Sequence, residues 1–248
     1  MRTILFDVEQ NEIETYKQLL ADVGEVDCHT EPLNEESIAM ATNAEVISVF
    51  VTSKITESML SKLANLKYIV CRSTGYDNID VESAKKHDIV VCNVPNYGEH
   101  TVAEYAFTLL LSLTRKLQDS ISQVQQGQID HTKLVGTDLA GSTLGVVGAG
   151  RIGQRLIKIA KGFEMSVVAY DPFPKPEVAK QLGFEYVELD ELYTSADIVS
   201  LHVPGSKDNK KLIDKDALEK FKDGAILINT ARGDLVDNLA LIEALQSG

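Results

Sequence analysis

Basic side chains are scarce in this chain. Its 248 residues include 24 Lys and Arg against 37 Asp and Glu, which gives a formal net charge of −13. Nucleic acids and anionic membrane surfaces are bound through clusters of positive charge. The composition therefore argues against a nucleic acid or a membrane as partner, although it is compatible with a local basic pocket.

Long apolar runs and cysteines are also few. No stretch approaches the roughly 20 apolar residues of a membrane-spanning helix, so we expect a soluble, cytoplasmic protein. Cys28, Cys71 and Cys92 lie in or beside apolar strand-like runs and lack the spacing of a metal site. We therefore expect buried free thiols, as in a reducing compartment, and no bound metal.

Strand-like and helix-like segments alternate along the chain, which is typical of a parallel α/β fold. The length and the hydrophobic content of 44% allow one large domain or two smaller ones. The first half has predicted strands at 3–8, 25–29, 46–51, 68–71 and 89–93, and predicted helices at 12–23, 34–42, 57–63 and 81–87. These segments predict a first doubly wound domain, residues 1–97.

The second predicted domain, residues 98–248, begins with an unusually apolar helix, residues 100–117. A helix that is apolar nearly all round must be buried against a partner domain or subunit. Its main face consists of Val102, Ala106, Leu109, Leu110, Leu113 and Leu117. After a predicted loop at 127–141, strands are predicted at 143–147, 166–170, 185–187, 198–202 and 225–229, with a last helical pattern through Leu239, Ile242 and Leu245.

A Gly-x-Gly-x-x-Gly pattern joins the first two of these strands. The apolar strand 143–147 leads into Gly148, and helical spacing begins at Arg151. In a dinucleotide-binding turn the first glycine permits the tight turn, the second, Gly150, lets the backbone approach a pyrophosphate, and the third, Gly153, lets the helix pack on the strand. The N–H groups of the helix N-terminus then face the phosphates.

An acidic residue follows at the expected distance. Strand 166–170 ends in Asp171, eighteen positions after Gly153, and its carboxylate can accept hydrogen bonds from the adenosine ribose. The same charge would repel a 2′-phosphate, so the pattern predicts NAD rather than NADP. A purely structural turn, with Asp171 as a cap before Pro172, is disfavoured because strand, helix and acid are all in place.

The domain built on this turn has five predicted strands. A complete dinucleotide fold of two mononucleotide halves has six. We therefore expect the sequence to be truncated, or a fragment, at its C-terminus. The alternative, a naturally shortened sheet, would leave an apolar edge to be covered.

Six motifs, in order, give the chain a resemblance to a known family. It resembles the D-isomer specific 2-hydroxyacid dehydrogenases, in particular the D-lactate dehydrogenase-like branch, over essentially all 248 residues. The motifs are CRSTGYDNID at 71–80, NVPNY at 93–97, TVAE at 101–104, GAGRIG at 148–153, LHVP at 201–204 and NTARGD at 229–234. The resemblance implies a flavodoxin-like substrate domain without its C-terminal return segment, an incomplete Rossmann domain, and NAD-dependent interconversion of a 2-keto acid and a D-2-hydroxy acid.

The resemblance also implies roles for individual residues. Backbone N–H groups of Ser73, Thr74 and Gly75 would hold the substrate carboxylate, and Tyr97 stands where some relatives supply a hydroxyl to the substrate pocket. A simple turn is the alternative for Gly75, and an aromatic ring packed between domains is the alternative for Tyr97. The implied cofactor-binding residues are Gly148, Gly150, Arg151, Ile152, Gly153, Asp171, His202, Val203, Pro204, Asn209, Thr230, Ala231 and Arg232.

Arg232 is also the predicted catalytic residue. It follows strand 225–229 at the carboxyl edge, where ligands of open α/β sheets bind. Its planar guanidinium can hold a carboxylate and polarise the 2-keto oxygen, and the family assigns the matching arginine this role. A surface arginine in a turn before Gly233 is the structural alternative.

Histidines attract attention as acid–base groups because their pKa lies near neutrality. The resemblance instead places His202 beside the cofactor, and it puts the proton-transferring histidine and its orienting glutamate beyond residue 248. The other histidines, which match neither, are His29, His87, His100 and His131. We therefore expect the 248-residue chain to bind NAD poorly and to turn over negligibly.

Two other functions share this pattern. D-3-phosphoglycerate dehydrogenase would need an added cationic phosphate pocket, for which Arg72 is the only nearby candidate in the loop. An NAD(H)-sensing, corepressor-like interaction protein would use the same scaffold without turnover. Helix 100–117 could bury its second face in a homodimer formed through the cofactor domain, as the family does, or could pack within one subunit.

Overall fold

The strands of the chain form two separate five-stranded parallel sheets. The structure is a computed structural model that describes residues 1–128, 130–206 and 208–247. The chain divides into two compact units, Met1–Tyr97 and Gly98–Gly248. The predicted α/β class, with two doubly wound parallel sheets, is confirmed.

The first unit has the strand order β2-β1-β3-β4-β5, which is the flavodoxin-like order. Its strands are β1 (Arg2–Leu5), β2 (Glu25–Cys28), β3 (Val46–Val49), β4 (Tyr68–Cys71) and β5 (Val90–Cys92), and its helices are α1 (Ile13–Leu19), α2 (Glu57–Leu60) and α3 (Val81–Lys86). In register, Thr3 of β1 lies beside Val46 of β3, and Val46 lies beside Tyr68 of β4. The carboxyl ends of the strands therefore meet at one edge of the sheet.

The second unit has the order β10-β9-β6-β7-β8, so that the first strand of the unit lies in the centre as in a Rossmann sheet. Its strands are β6 (Thr143–Val147), β7 (Ser166–Tyr170), β8 (Glu185–Tyr186), β9 (Ile198–Leu201) and β10 (Ile226–Asn229). Its helices are α4 (Glu99–Thr114), α5 (Leu117–Gln125), α6 (Arg151–Gly162), α7 (Pro176–Leu182), α8 (Leu189–Ser195), α9 (Lys215–Leu218) and α10 (Asn238–Ser247).

The predicted helix at 34–42 is wrong in most of its length, since only a 3-10 turn, Ile38–Ala41, forms there. The Asn34 side chain accepts hydrogen bonds from the backbone N–H groups of Glu36 and Ser37, at 2.9 and 3.1 Å. The Ser37 hydroxyl donates to the Pro32 carbonyl at 2.8 Å. Such local side-chain bonds satisfy backbone groups without a helix and so compete with it.

The predicted helix at 100–117 forms as α4 but ends three residues early, at Thr114, and a second helix, α5, begins at Leu117. Lys116 adopts a left-handed conformation with φ of 51° between α4 and α5. The carbonyl of Thr114 accepts the backbone N–H of Thr137 at 2.9 Å, so the segment after α5 takes the acceptor that a continuous helix would use. The predicted loop at 127–141, of which residue 129 lies outside the described residues, therefore packs on the end of α4.

Helix α4 buries one face only. Its buried residues are Ala103, Ala106, Phe107, Leu110 and Thr114. Leu109 and Leu113, which the sequence placed on the apolar face, are exposed at 37% and 58%. The helix therefore leaves apolar surface uncovered in the single chain.

The expectation of three buried thiols is wrong for two of them. All three cysteines are free, but Cys71 alone is buried, Cys28 is half-buried and Cys92 is exposed. Cys92 lies on β5, an edge strand of the first sheet, and an edge strand has no neighbour on its outer side.

Strand β6 separates two apolar clusters. Leu144 and Val146 pack with α4 and α6 on one face, and Val147 packs with α8 on the other. Gly145 shares the face of Val147. A Cβ atom added to Gly145 would lie 2.7 Å from Leu192 Cδ2 and 2.9 Å from Ala196 Cβ. Helix α8 therefore sits as close to the central strand as a missing side chain allows.

We predict that Gly145→Ala lowers the free energy of unfolding of this unit by about 1–3 kcal/mol, because the added methyl overpacks the α8 contact. The matched control is Gly162→Ala at the end of α6, where an added Cβ meets nothing within 4 Å. Urea unfolding followed by circular dichroism gives both values. Equal unfolding midpoints for Gly145→Ala and the unsubstituted chain would contradict this packing.

Candidate functional site

The glycine turn of the second unit lies against the end of β9. Gly148 has φ of 98°, and a Cβ there would come within 2.8 Å of the backbone carbonyl of His202. Its N–H donates to Tyr170 O at 2.8 Å. The turn is therefore fixed between the ends of β7 and β9, and both the left-handed backbone and the close approach require glycine.

Helix α6 begins with an uncapped N-terminus. Its N-cap is Gly150, with no side-chain cap and no acidic residue in the first turn. A Cβ on Gly150 would meet nothing within 4 Å, whereas a Cβ on Gly153 would lie 2.1 Å from Gly148 O. Gly153 thus allows the helix to pack on the turn, and Gly150 opens on free space beside a first helical turn that has no side-chain cap. An anion such as a pyrophosphate fits this arrangement.

Asp171 is tied to the glycine turn. Its Oδ2 accepts the N–H of Ala149 at 2.9 Å, and its Oδ1 accepts the N–H of Phe173 at 2.9 Å. Each oxygen keeps a further acceptor site, because a carboxylate oxygen has two lone pairs. The carboxylate therefore holds the turn and keeps acceptor sites with which ribose hydroxyls could bond, so the two predicted roles of Asp171 are compatible.

His202 is held as a neutral imidazole. Its backbone N–H donates to Val147 O at 2.8 Å, and its ring Nε2 lies 2.9 Å from Ser200 Oγ. Burial lowers the pKa of His202 from 6.5 to about 4, because the charged form is desolvated. A histidine in this state is uncharged at neutral pH and forms part of the wall beside the glycine turn.

The residues after His202 continue along the glycine turn. Val203 is buried and packs against Gly148. Pro204 is exposed, and its carbonyl accepts the side-chain amide of Asn209 at 2.9 Å. Asn209 thereby closes the loop after β9, although residue 207 within it lies outside the described residues.

Arg232 lies at the carboxyl end of β10. Asn229 Nδ2 donates to Arg232 O at 2.7 Å, and Asn229 Oδ1 accepts the N–H of Ala231 at 3.0 Å. The guanidinium donates to Ala231 O at 2.9 Å. The hydroxyl of Thr230 is buried without a partner among the described residues, and such a group is ordinarily satisfied by an ordered water or a ligand.

Three supporting side chains of this unit were missed at the level of sequence. Ser200 fixes His202, Asn229 fixes the Arg232 loop, and Gln154 donates to Ala149 O at 2.9 Å. Ser200 could have been found, because residues two apart on a strand share a face. The Asn229 and Gln154 contacts depend on loop geometry that leaves no periodic signal.

The predicted carboxylate loop of the first unit follows β4. Ser73 is buried, and its hydroxyl donates to Gly75 O at 2.6 Å rather than outward. The Thr74 hydroxyl donates to Val94 O at 2.9 Å. In the described part of the chain, the backbone N–H groups of Thr74, Gly75 and Tyr76 have no acceptor. The loop therefore offers an anion its backbone and not its hydroxyls.

Arg72 turns away from this loop. Its guanidinium donates to Ser48 Oγ at 2.9 Å, to Phe6 O at 2.7 Å and to Asp7 O at 3.0 Å. It also lies 5.5 Å from the ring centre of Tyr16. These contacts hold the ends of β1, β3 and β4 together. They also occupy the guanidinium of Arg72, the residue that a phosphate pocket at this loop would need.

Three further expectations concern Tyr97, membrane-spanning helices and metal sites. Tyr97 closes the first unit and is 58% exposed. No helix among the described residues combines the length and apolarity that crossing a membrane requires. Within residues 1–128, 130–206 and 208–247, no three His, Cys, Asp or Glu side chains gather as a metal site would need.

Comparison with known proteins places this geometry among dehydrogenases. The sequence profile described as "D-isomer specific 2-hydroxyacid dehydrogenase, NAD binding domain" matches residues 107–248. A "2-hydroxyacid dehydrogenase homolog" of Haemophilus influenzae is 38% identical over 216 residues, which are 86% of this chain and 65% of that relative. A D-3-phosphoglycerate dehydrogenase of Methanocaldococcus jannaschii is 38% identical over 93% of this chain and 44% of its own length. The chain thus spans less than two thirds of the length of these relatives.

A solved structure gives the same result for the fold. The D-lactate dehydrogenase of Aquifex aeolicus, complexed with NAD and lactic acid, has a TM-score of 0.93 and 36% sequence identity. The match covers 99% of this chain and 74% of that one.

We predict that neutral His202 makes the fold sensitive to mild acid. Its pKa in the folded chain is depressed, so its contribution to stability is present above pH 6.5 and is lost as the pH falls toward 4. The loss is up to about 3 kcal/mol in the free energy of unfolding. In His202→Gln, which keeps a polar group near Nε2 but does not titrate, urea unfolding should show a smaller decrease over this range. His87→Gln on the surface is the control, and parallel pH profiles for all three chains would refute the assignment.

Proposed function

Because the chain belongs to the D-isomer specific 2-hydroxyacid dehydrogenase family, we propose that it interconverts a 2-keto acid and a D-2-hydroxy acid by NAD-dependent hydride transfer. The observation that carries the proposal is the glycine turn, whose open side at Gly150 adjoins the uncapped N-terminus of α6. The carboxylate of Asp171, tied to the same turn, favours NAD over NADP because it would repel a 2′-phosphate.

The substrate side of the proposal rests on two groups. The N–H groups of Thr74, Gly75 and Tyr76, which have no acceptor among the described residues, can bind a carboxylate. The guanidinium of Arg232 polarises the 2-keto oxygen and stabilises the negative charge that develops there during reduction. Bound NADH supplies the hydride.

Reduction of a keto acid also needs a proton donor, and His202 is the histidine nearest the glycine turn. His202 is held neutral beside the glycine turn and bonded to Ser200, so we assign it to the cofactor wall. The family resemblance assigns proton transfer to a histidine and glutamate pair that matches no residue of this chain. We therefore propose that His202 contributes to cofactor binding and not to proton transfer.

A D-lactate dehydrogenase-like substrate is favoured over a phosphorylated one. Arg72 is bonded to Ser48, Phe6 and Asp7, and a phosphate would have to compete with those bonds. D-3-phosphoglycerate dehydrogenase is the second candidate, supported by the identity of 38% to such an enzyme. An NAD(H)-sensing interaction protein would share both binding groups and would differ by lacking turnover in any form of the protein.

We also propose that the chain forms a homodimer through the cofactor unit and that it resides in the cytoplasm. Tyr105, Leu109 and Leu113 on α4 and Ile121 and Val124 on α5 are exposed by 37–68%, and apolar surface of this kind marks contact sites. The three free cysteines agree with a reducing compartment.

We predict that this apolar surface self-associates. Sedimentation velocity of the chain over a range of concentrations should show a dimer, and Leu113→Glu should shift it to monomer because a buried charge is costly. Leu19→Glu on α1, another exposed leucine at 73%, serves as control. A monomer at every concentration would contradict the dimer proposal.

The central test is ternary binding. Pyruvate is titrated into the chain with and without saturating NADH, and heat of binding is measured. We expect binding that depends on NADH, and Arg232→Lys should weaken it roughly tenfold or more because lysine lacks the planar guanidinium with its fixed pair of N–H donors. Arg115→Lys, at the exposed ion pair with Asp138, is the matched control.

Three outcomes of this titration separate the parts of the proposal. Equal pyruvate affinity for Arg232→Lys and the control would remove Arg232 from the site. Absence of pyruvate binding with NADH present would contradict the substrate class. Steady NADH oxidation by the chain that is lost in His202→Gln would contradict the assignment of His202 to the cofactor wall.

A further inference from the structure

The loop after β4 has all three of its consecutive carbonyls held by the protein. Ser73 O accepts the N–H of Val94 at 3.1 Å, and Thr74 O accepts the side-chain amide of Asn93 at 2.8 Å. Gly75 O accepts the Ser73 hydroxyl at 2.6 Å. Each bond fixes one peptide unit of the loop.

Fixing a carbonyl also fixes the N–H of the next residue. In a trans peptide the C=O and the N–H point in opposite directions, and none of the described peptide bonds is cis. The N–H groups of Thr74 and Gly75 therefore point away from Asn93 and Val94. The N–H of Tyr76 points away from the Ser73 hydroxyl. This explains why these three successive donors find no acceptor among the described residues.

The Gly75 carbonyl is held from the buried side. Ser73 is 4% exposed and Cys71 is fully buried. Cys71 Sγ lies 3.0 Å from Ser73 Oγ and 3.3 Å from Gly75 O. Two side chains of the core thus converge on one carbonyl, although glycine has the greatest backbone freedom of any residue. Without these contacts the Gly75–Tyr76 peptide would be free to rotate.

We propose that Ser73 is a positioning residue, whose hydroxyl turns the Gly75–Tyr76 peptide so that the Tyr76 N–H becomes a third donor to the substrate carboxylate. The inference rests on the proposed function, in which this loop binds that carboxylate. Ser73 itself does not touch the substrate. Its effect is preorganisation, since the donors are oriented before the anion arrives.

The first test needs no ligand. In the ¹³C and ¹⁵N NMR spectra of the full chain, Ser73→Ala should shift the Gly75 carbonyl resonance toward that of an unbonded carbonyl, and the Tyr76 amide should broaden as the peptide begins to rotate. The control is Ser142→Ala, which removes a Ser hydroxyl bond of the same 2.6 Å length, to Leu139 O, in the other unit. A general loss of stability would occur in both variants. A shift of the Gly75 carbonyl resonance should occur in Ser73→Ala and not in Ser142→Ala.

The second test adds pyruvate in the presence of NADH. In the unsubstituted chain the Thr74, Gly75 and Tyr76 amides should move together, and Ser73→Ala should raise the dissociation constant roughly five-fold, the ratio expected from one neutral hydrogen bond. Asn93→Ala is the second variant, because it releases Thr74 O from a surface position without disturbing the core. It should weaken binding and leave the Gly75 carbonyl resonance in place.

The outcomes distinguish the two claims. A Gly75 carbonyl resonance unchanged in Ser73→Ala would overturn the positioning role, whatever the ligand does. A shifted resonance with undiminished pyruvate affinity would also overturn it. A shifted resonance together with no response of the loop to pyruvate in the unsubstituted chain would contradict the proposed function instead.

Discussion

The contact on which the second unit depends is the meeting of backbone with backbone around Gly148. One side of this residue lies against the His202 carbonyl, and its own carbonyl lies where a side chain on Gly153 would have to be. Three elements, β6, β9 and α6, therefore converge at two positions, Gly148 and Gly153, where no side chain can be accommodated. Packing of this density leaves the start of α6 in one position. The open space at Gly150 is where the uncapped helix faces outward.

The two candidate anion sites, the N-terminus of α6 and the loop after β4, bind through the same kind of donor, backbone N–H groups. At the carboxyl edge of a parallel sheet the chain turns, and its N–H groups lose their strand partners. In the second unit, the N-terminus of α6 provides the donors. In the first unit, Val94, Asn93 and Ser73 hold the carbonyls, so that the N–H groups face outward. Neither group needs a charged side chain, which is consistent with anion binding by a chain of net charge −13.

The fold could be predicted because its strands are short apolar runs with clear breaks. Nine of the ten strands lie within the predicted segments, β1 begins one residue before its segment, and the glycine spacing located the central turn. The failures have local causes. Asn34 and Ser37 bond to nearby backbone and displace a helix, and Thr137 takes the Thr114 carbonyl and ends α4 early. In the candidate site, the glycines were predictable from their spacing. Tertiary contacts instead decide the direction of the Ser73 hydroxyl, the bonds of Arg72 to Ser48, Phe6 and Asp7, and the pairing of Ser200 with His202.

The claim that the open side of Gly150 receives the pyrophosphate is tested most directly by Gly150→Val. The backbone there, with φ of −68° and ψ of −164°, suits any residue, and an added Cβ meets no protein atom within 4 Å. NADH titration followed by fluorescence should therefore show binding weakened roughly tenfold or more, with an unchanged urea midpoint and with Gly162→Val as control. Undiminished NADH affinity in a folded Gly150→Val chain would contradict the account.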